Sequence, residues 1–188
     1  FILMLEDADE CPPAWLPRIR QLVLILPGIV GLTLLARVTI KSHGFDQDVQ
    51  DFRQMLSVMA PEARAMGLVQ YASSEFTRVP VYMHFPVWYQ VEAKGLVDFN
   101  FAQWSSLNTY YKEAHRPVIG SRLPWFPEEY DWELNGGDNY RYFMVSGSPA
   151  FVDTVFAGRL DELMVPYVGR RWILFERIGD TRGATGEQ

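Results

Sequence analysis

Residues 81–95, VYMHFPVWYQVEAKG, bring a histidine, two tyrosines, a tryptophan and a glutamate into one short run. A histidine needs a partner to act as a general base, and Glu92 lies eight residues after His84. On a helix this spacing exceeds two turns, so the two side chains would not touch. The segment therefore predicts a packed helix, with Pro86 in its first turn, rather than a catalytic relay.

The aromatic rings of this segment have a second possible role, as a platform for a sugar. An exposed ring gives affinity for a glycan, whereas a buried ring stabilises the core. We favour burial of Trp88, and we treat His84 as a structural or capping residue whose role in function needs a test. Weak candidates for binding remain at Tyr82, His84, Trp88 and Tyr89.

The turn SGSP, residues 146–149, lies between a predicted strand and a predicted helix. Backbone amides and the helix dipole favour an anion at such a position. The dinucleotide-binding fingerprint is absent, which favours the alternative of a plain cap with Ser148 as N-cap and Pro149 at the first helical position. Gly147 and Ser148 are kept as weak binding candidates.

An acidic loop, residues 131–139, resembles the first half of a calcium-binding loop. Tyr142 stands where the bidentate glutamate should be, so we favour an ordinary turn and predict no metal site. A sugar or cation could still bind where carboxylates alternate with rings, although a solvated acidic loop is preferred. The residues concerned are Trp125, Phe126, Glu128, Glu129, Tyr130, Asp131, Trp132 and Glu133.

Composition restricts the class of protein. The 188 residues are 48% hydrophobic, enough for one core but not for two full domains. The net charge of -6 argues against a nucleic-acid partner, because the basic residues are scattered. Cys11 is the single cysteine, so no intrachain disulfide and no cysteine-based zinc site can form. No cofactor is predicted.

Residues 22–40, LVLILPGIVGLTLLARVTI, are apolar on every side except for Arg37. This length suffices for a bilayer span, in which Pro27 and Gly28 are tolerated. A buried core helix is the first alternative, but Pro27 would disrupt it. A signal peptide is the second alternative, but about twenty residues with four carboxylates precede the run and no small-residue cleavage site follows it. The lipid bilayer is therefore the predicted partner.

The charges that flank this run predict its orientation. Arg18 and Arg20 precede it, and three aspartates follow shortly after Lys41 and His43. Basic residues favour the cytoplasmic side, a bias that Arg37 and Lys41 at the other end weaken. We expect residues 1–21 to be a cytoplasmic loop fragment and residues 43–178 to form an extracytoplasmic domain, periplasmic if the source is a bacterium. Residues 179–188 are polar and predicted to be disordered. The chain begins with Phe1, which suggests a piece of a longer protein.

Helical and strand patterns alternate after residue 46. The segments expected in one sheet are GLVQYA, YRYFMVS and WILFERI, with a short strand LVDFNFA and helices in 46–60, 81–95 and 148–164. This alternation predicts an α/β domain with a small, mostly parallel sheet and flanking helices. VPYV and WILFERI are predicted to pair across Gly169 as an antiparallel edge.

The order of these segments resembles a known class of membrane proteins. An apolar span followed by YMHFPVWYQVEAKGLVDFNFA, YRYFMVSG and GRRWILFERI is similar to the C-terminal extracytoplasmic region of bacterial polytopic membrane proteins classed with protein-mannosyltransferase-like glycosyltransferases. The resemblance implies a lipid-linked sugar or glycan as partner. It also implies that the catalytic carboxylates belong to an early external loop, outside this fragment.

Two hypotheses about function follow. In the first, the chain is an accessory extracytoplasmic domain of an integral-membrane glycosyltransferase in the inner membrane, acting in cell-envelope glycan assembly. In the second, it is a noncatalytic binding or assembly domain of a membrane protein without transferase activity. The catalytic residues are unknown under both hypotheses, and further membrane spans upstream of residue 1 would favour the first.

Overall fold

The computed structural model describes residues 16–77, 79–98 and 123–179, with side chains from residue 23 onward except Leu24. The chain divides into two compact units, Phe1–His43 and Gly44–Gln188. The predicted domain began at residue 43, next to this division. Each unit is described by itself below.

Helix α1 extends over Leu16–Ser57 and includes Pro27. Its residues up to His43 belong to the first unit, and the remaining residues belong to the second. Its apolar side chains between Ile25 and Ile40 are exposed, and the helix is long and apolar enough to cross a membrane. The hydroxyls of Thr33 and Thr39 donate to the carbonyl oxygens four residues earlier. Such bonds satisfy the hydroxyl donors within the helix itself.

Helix α1 also includes the segment predicted as a separate helix from residue 46. No proline lies between Pro27 and Pro61, so nothing in this stretch removes a backbone donor from the helix. Within the second unit, Phe52, Met55 and Leu56 of this helix are buried. They fall at the three- and four-residue spacings of one helix face.

Among its described residues, the second unit contains a five-stranded sheet in the order β2-β1-β3-β5-β4. Strand bounds are β1 Arg64–Val69, β2 Leu96–Val97, β3 Tyr142–Ser146, β4 Leu163–Val168 and β5 Ile173–Arg177. The three segments expected to share one sheet, now β1, β3 and β5, are neighbours in it, as predicted. Residue 99 onward of the predicted strand LVDFNFA lies outside the described residues, as do residues 180–188 of the predicted tail.

The sheet is mixed, so the prediction of a mostly parallel sheet was wrong. β1 pairs in parallel with β2 and β3, whereas β5 pairs antiparallel with β3 and β4. The connection between β4 and β5 is too short for a crossover, which forces an antiparallel pair. The expected antiparallel pairing of VPYV with WILFERI at one edge of the sheet is confirmed, with β4 outermost and β5 next to β3.

Side chains of the strands alternate between two cores. Ala65, Val69 and Met144 lie on the face covered by the last turns of α1 and by residues 81–93. Met66, Leu68 and Phe143 lie on the opposite face, beneath helix α3 (Pro149–Val155) and the segment from Leu123 to Tyr140. Both faces are covered, which explains why β1 and β3 are apolar almost throughout.

The helices after β1 are shorter than predicted. Residues 81–95 form a 3-10 helix, Val81–Val87, followed by helix α2, Trp88–Ala93, which ends at Lys94 with φ 54°. Helix α3 ends at Val155 rather than near residue 164, and Gly158 follows with φ 73°. That left-handed conformation suits glycine and interrupts the helical path before β4 begins.

Candidate functional site

A cavity of about 520 Å³ opens beside the carboxyl end of β1. The crevice beyond the carboxyl ends of parallel strands is a recurrent ligand site in α/β sheets. This volume is also within the range of pockets that hold small molecules. The cavity is lined by Val69, Gln70, Ala72, Pro80, Met83, Pro124, Trp125, Pro127 and Glu128.

The carboxyl ends of β1 and β3 are joined at this cavity by backbone bonds. The amides of Gln70 and Tyr71 both donate to the carbonyl oxygen of Ser146, at 2.8 and 3.1 Å. The side-chain Oε1 of Gln70 accepts from the amide of Ser148 at 3.0 Å. This bond fixes the orientation of the Gln70 amide, which keeps its NH2 group and the second lone pair of Oε1 for a ligand.

Gly147 and Ser148 form the turn between β3 and α3. The Ser148 hydroxyl accepts from the amide of Phe151 at 3.2 Å, which confirms the predicted N-cap, and Pro149 is the first residue of α3. A Cβ on Gly147 would overlap the ring of Phe151. The Ser148 amide and hydroxyl are both used within the protein, so the geometry favours the plain cap over the anion site.

Trp125 and Glu128 also line the cavity. Leu123 and Pro127 are buried, and Pro127 begins a 3-10 turn, Pro127–Glu129. These two anchors leave Trp125 53% exposed and Glu128 in solvent. An accessible indole face next to a carboxylate and an amide is a combination that can stack on a ring and bond to hydroxyl groups.

The four aromatic and histidine candidates of residues 82–89 do not lie together. Tyr82 and Tyr89 are fully buried, and their hydroxyls donate to Asp48 and to the carbonyl oxygen of Ala60. They are core residues and cannot contact a ligand in this structure. His84 and Trp88 are exposed.

Burial of Trp88 was predicted, and this prediction was wrong, because its side chain is 49% exposed. A continuous α-helix was expected to place Phe85, Trp88, Tyr89 and Glu92 on one side. Phe85 and Tyr89 of this side are buried, and Tyr89 packs against Gly95, whereas Trp88 and Glu92 are exposed.

Sequence reasoning missed a partly buried polar cluster between α1 and the β4–β5 turn. The carboxylate of Asp48 accepts from Tyr82 and pairs with Arg170. Asp51 accepts from the Tyr167 hydroxyl at 2.8 Å and from three successive backbone amides, those of Arg170, Arg171 and Trp172. The only signal in the sequence was two aspartates at i, i+3 beside the buried Phe52.

The acidic loop at 131–139 uses its carboxylates within the protein. Asp131 accepts from the amide of Leu134 at 2.8 Å, Glu133 pairs with Arg159, and Asp138 accepts from the Trp132 indole at 3.2 Å. Over the described ranges, His, Cys, Asp and Glu form no group of three or more that could hold a metal ion. The loop packs against the core on the α3 side of the sheet through Trp132.

Comparison of the chain with protein-family models, with curated proteins and with solved structures found no match.

Proposed function

We propose that this chain is a membrane-anchored, noncatalytic domain that binds a glycan in the cavity beside β1. Residues 22–40 are its anchor in the inner membrane, and the unit from Gly44 lies on the periplasmic side. It is an accessory part of a glycosyltransferase-like membrane protein that assembles envelope glycans, with the catalytic residues outside this fragment. The alternative keeps the glycan site but places it in a membrane protein without transferase activity.

The observation that carries this proposal is the exposed indole of Trp125 inside a cavity that also contains Glu128 and Gln70. The apolar face of a pyranose ring packs against an indole, while its hydroxyls bond to carboxylate and amide groups. A tryptophan that is this exposed gains little hydrophobic free energy from core packing, so core packing does not explain it. The cavity thus has the chemistry of a sugar site.

The charges that flank the apolar run support the orientation. Arg18 and Arg20 precede it, whereas Lys41 directly after it is followed by Asp46, Asp48 and Asp51. Basic residues are retained on the cytoplasmic side of a span. The acidic residues ahead of the run support an anchor over a cleaved signal sequence.

The experiment is glycan binding by calorimetry, with the full chain in nanodiscs and with chitotetraose, cellotetraose and maltotetraose as probes. We expect Trp125→Ala to weaken binding of at least one probe roughly tenfold, about 1.4 kcal/mol. Glu128→Gln should weaken it less, because an amide retains hydrogen bonding. Trp88→Ala is the matched control, since Trp88 is a similarly exposed tryptophan outside the cavity.

Two results would contradict the assignment. The first is no binding of any probe, and the second is a loss caused by Trp88→Ala rather than Trp125→Ala. Transfer assays on the longer membrane protein then separate the two functional classes. A transferase should lose transfer to its acceptor on Trp125→Ala, whereas a binding protein should show glycan binding without transfer.

A further inference from the structure

The cavity beside β1 has a single charged side chain among the described residues that line it. The lining is mostly apolar, and Gln70, Trp125 and Glu128 are the members that offer polar or aromatic groups. Glu128 alone has a formal charge, and this charge is negative. Such a cavity attracts a cationic ligand and repels a phosphate or a carboxylate.

The Glu128 carboxylate has no competing partner within the described part of the chain. The residue is exposed, and neither a hydrogen bond nor an ion pair joins it to another described side chain. Glu129 and Glu133, by contrast, both interact within the protein. The charge of Glu128 is therefore accessible to a ligand in the cavity.

A basic side chain that approaches this end of β1 is engaged elsewhere. The Arg171 guanidinium donates to the carbonyl oxygen of Tyr71, next to Gln70, at 3.4 Å. Its Cζ lies 4.2 Å from the ring centroid of Tyr82, and its Nε lies 3.9 Å from the Asp48 carboxylate. Arg171 does not line the cavity, so the negative charge of the lining is not neutralised by it.

Trp125 and Glu128 together suit an ammonium group. The face of an indole attracts a cation more strongly than the face of any other aromatic side chain. A carboxylate supplies the opposite charge and accepts hydrogen bonds, while an ammonium group has three N–H donors. The second lone pair of Gln70 Oε1 is a further acceptor in the same lining.

The kind of molecule that carries this ammonium group follows from the proposed function, on which the inference rests. In that function the apolar face of a pyranose ring packs against Trp125. An amino group on the ring projects from its edge and can reach the carboxylate. A hydroxyl at the same position offers a hydrogen bond without charge, and an acetamido group is also neutral.

We propose that the cavity beside β1 selects a glycan with free, protonated amino groups, the chemical class of a hexosamine without its acetyl group. Glu128 pairs with the ammonium group, Trp125 stacks on the sugar ring, and Gln70 accepts a further hydrogen bond. Neutral glycans make the same ring contact and bind more weakly. Anionic glycans are repelled by Glu128.

The experiment compares three tetrasaccharides that share one β-1,4 backbone and differ in the group on the second ring carbon. The glucosamine tetramer has an ammonium group there, chitotetraose an acetamido group and cellotetraose a hydroxyl. Binding is measured by calorimetry with the full chain in phosphatidylcholine nanodiscs at low salt and about pH 6, where the amines are protonated. Tetralysine, a cation of similar charge without a sugar ring, is the control probe.

We expect the glucosamine tetramer to bind about fivefold more tightly than either neutral tetrasaccharide. Glu128→Gln should remove this preference, because the amide keeps the shape of the carboxylate without its charge. Glu129→Gln, the matched control, removes the same charge at a residue outside the lining and should retain the preference. High salt should reduce the preference, since it screens an exposed ion pair.

Three results would overturn the inference. The first is a neutral tetrasaccharide that binds as tightly as the glucosamine tetramer. The second is an equal loss of the preference in Glu128→Gln and Glu129→Gln. The third is binding of tetralysine as tight as that of the glucosamine tetramer, because the site would then require charge but no sugar ring.

The same titrations separate this inference from the proposed function. If a neutral tetrasaccharide binds best and Trp125→Ala weakens its binding, the glycan site stands and only the selection for an amino group is refuted. If neither these tetrasaccharides nor maltotetraose binds, the glycan site and the selection are both refuted. Trp125→Ala should weaken binding of the glucosamine tetramer as well, because the ring contact is common to all these ligands.

Discussion

At the scale of single residues, two carboxylates of α1 are the most informative feature, the buried Asp48 and the partly buried Asp51. Asp48 and Asp51 bind the β4–β5 turn through side chains and backbone amides about 120 residues later in the chain. A buried charge is costly unless it is paired and hydrogen-bonded. These two residues therefore connect the C-terminal part of α1 to the β4–β5 turn at one edge of the sheet.

Asp48→Ala should lower the free energy of unfolding by about 2 kcal/mol, because the buried Tyr82 hydroxyl loses its acceptor and Arg170 loses its partner. The loss stays below that of a fully buried pair, since Arg170 is half exposed and keeps its contact with water. Urea denaturation measures the change. Asp46→Ala, an exposed aspartate two residues earlier, is the control and should leave the midpoint nearly unchanged.

The buried hydroxyl of Tyr89 should make the free energy of unfolding depend on pH in the alkaline range. Burial raises the pKa of its hydroxyl to about 12, above the value of about 10 expected in the unfolded chain. Between these values the unfolded state loses the proton and the folded state retains it, so stability falls as pH rises from 10 to 12, by about 2 kcal/mol. Below pH 10 this contribution is complete.

Tyr89→Phe should abolish this part of the alkaline loss, at a cost of about 1 kcal/mol at neutral pH for the missing hydrogen bond. Urea midpoints at pH 8 and pH 11.5 give the two quantities. Tyr71→Phe, at an exposed position, is the matched control. An alkaline loss that is the same in Tyr89→Phe and in the unsubstituted chain would contradict the assignment.

At the scale of elements, one face of strand β1 lies in close contact with the 3-10 helix Val81–Val87. Gly67 lies at the centre of β1, and a Cβ there would overlap the ring of Pro86 from the 3-10 helix. Glycine weakens a strand by its flexibility, so its presence marks a close approach. Here the approach sets the position of the 3-10 helix above the sheet.

Gly67→Ala should therefore destabilise the domain by about 2 kcal/mol through overpacking, although alanine is the better residue for a strand. Pro86→Ala in the same chain should recover part of the loss. A double-mutant cycle by thermal denaturation measures this coupling. A Gly67→Ala protein as stable as the unsubstituted chain would show that the Pro86 ring can move away at little cost.

At the scale of the whole molecule, one apolar helix precedes a compact α/β unit. A signal sequence and a membrane anchor can have the same length and hydropathy, but only the anchor remains part of the mature protein. An anchor remains covalently attached and needs detergent for extraction. A signal sequence is removed by cleavage.

We predict that the chain stays in the membrane pellet after carbonate extraction and keeps its full mass. Alkaline phosphatase fused after Gln188 should be active, and green fluorescent protein exported through the general secretory route at the same position should not fluoresce. Arg18→Glu with Arg20→Glu should weaken this orientation, because these residues carry the positive charge before the span. Activity of the fluorescent fusion alone would reverse the topology.

Local chemistry in the sequence was sufficient for much of the second unit. The apolar strands β1, β3 and β5, the cap at Ser148 and the hairpin after Leu163 each depend on neighbours in the chain, and each was predicted. Helix lengths were less accurate. The 3-10 helix before Trp88 packs its Pro86 ring against Gly67, a contact between distant residues that no local pattern reports.

The sequence by itself determined which segments are apolar, where a helix is capped and that one helix is long enough for a membrane. Only the tertiary structure decided the mixed direction of the sheet, the exposure of Trp88 and the meeting of Gln70, Trp125 and Glu128 around one cavity. Periodicity records which side chains avoid water, because burial acts on each residue separately. It does not record the partner, because contacts between distant residues depend on how the elements pack.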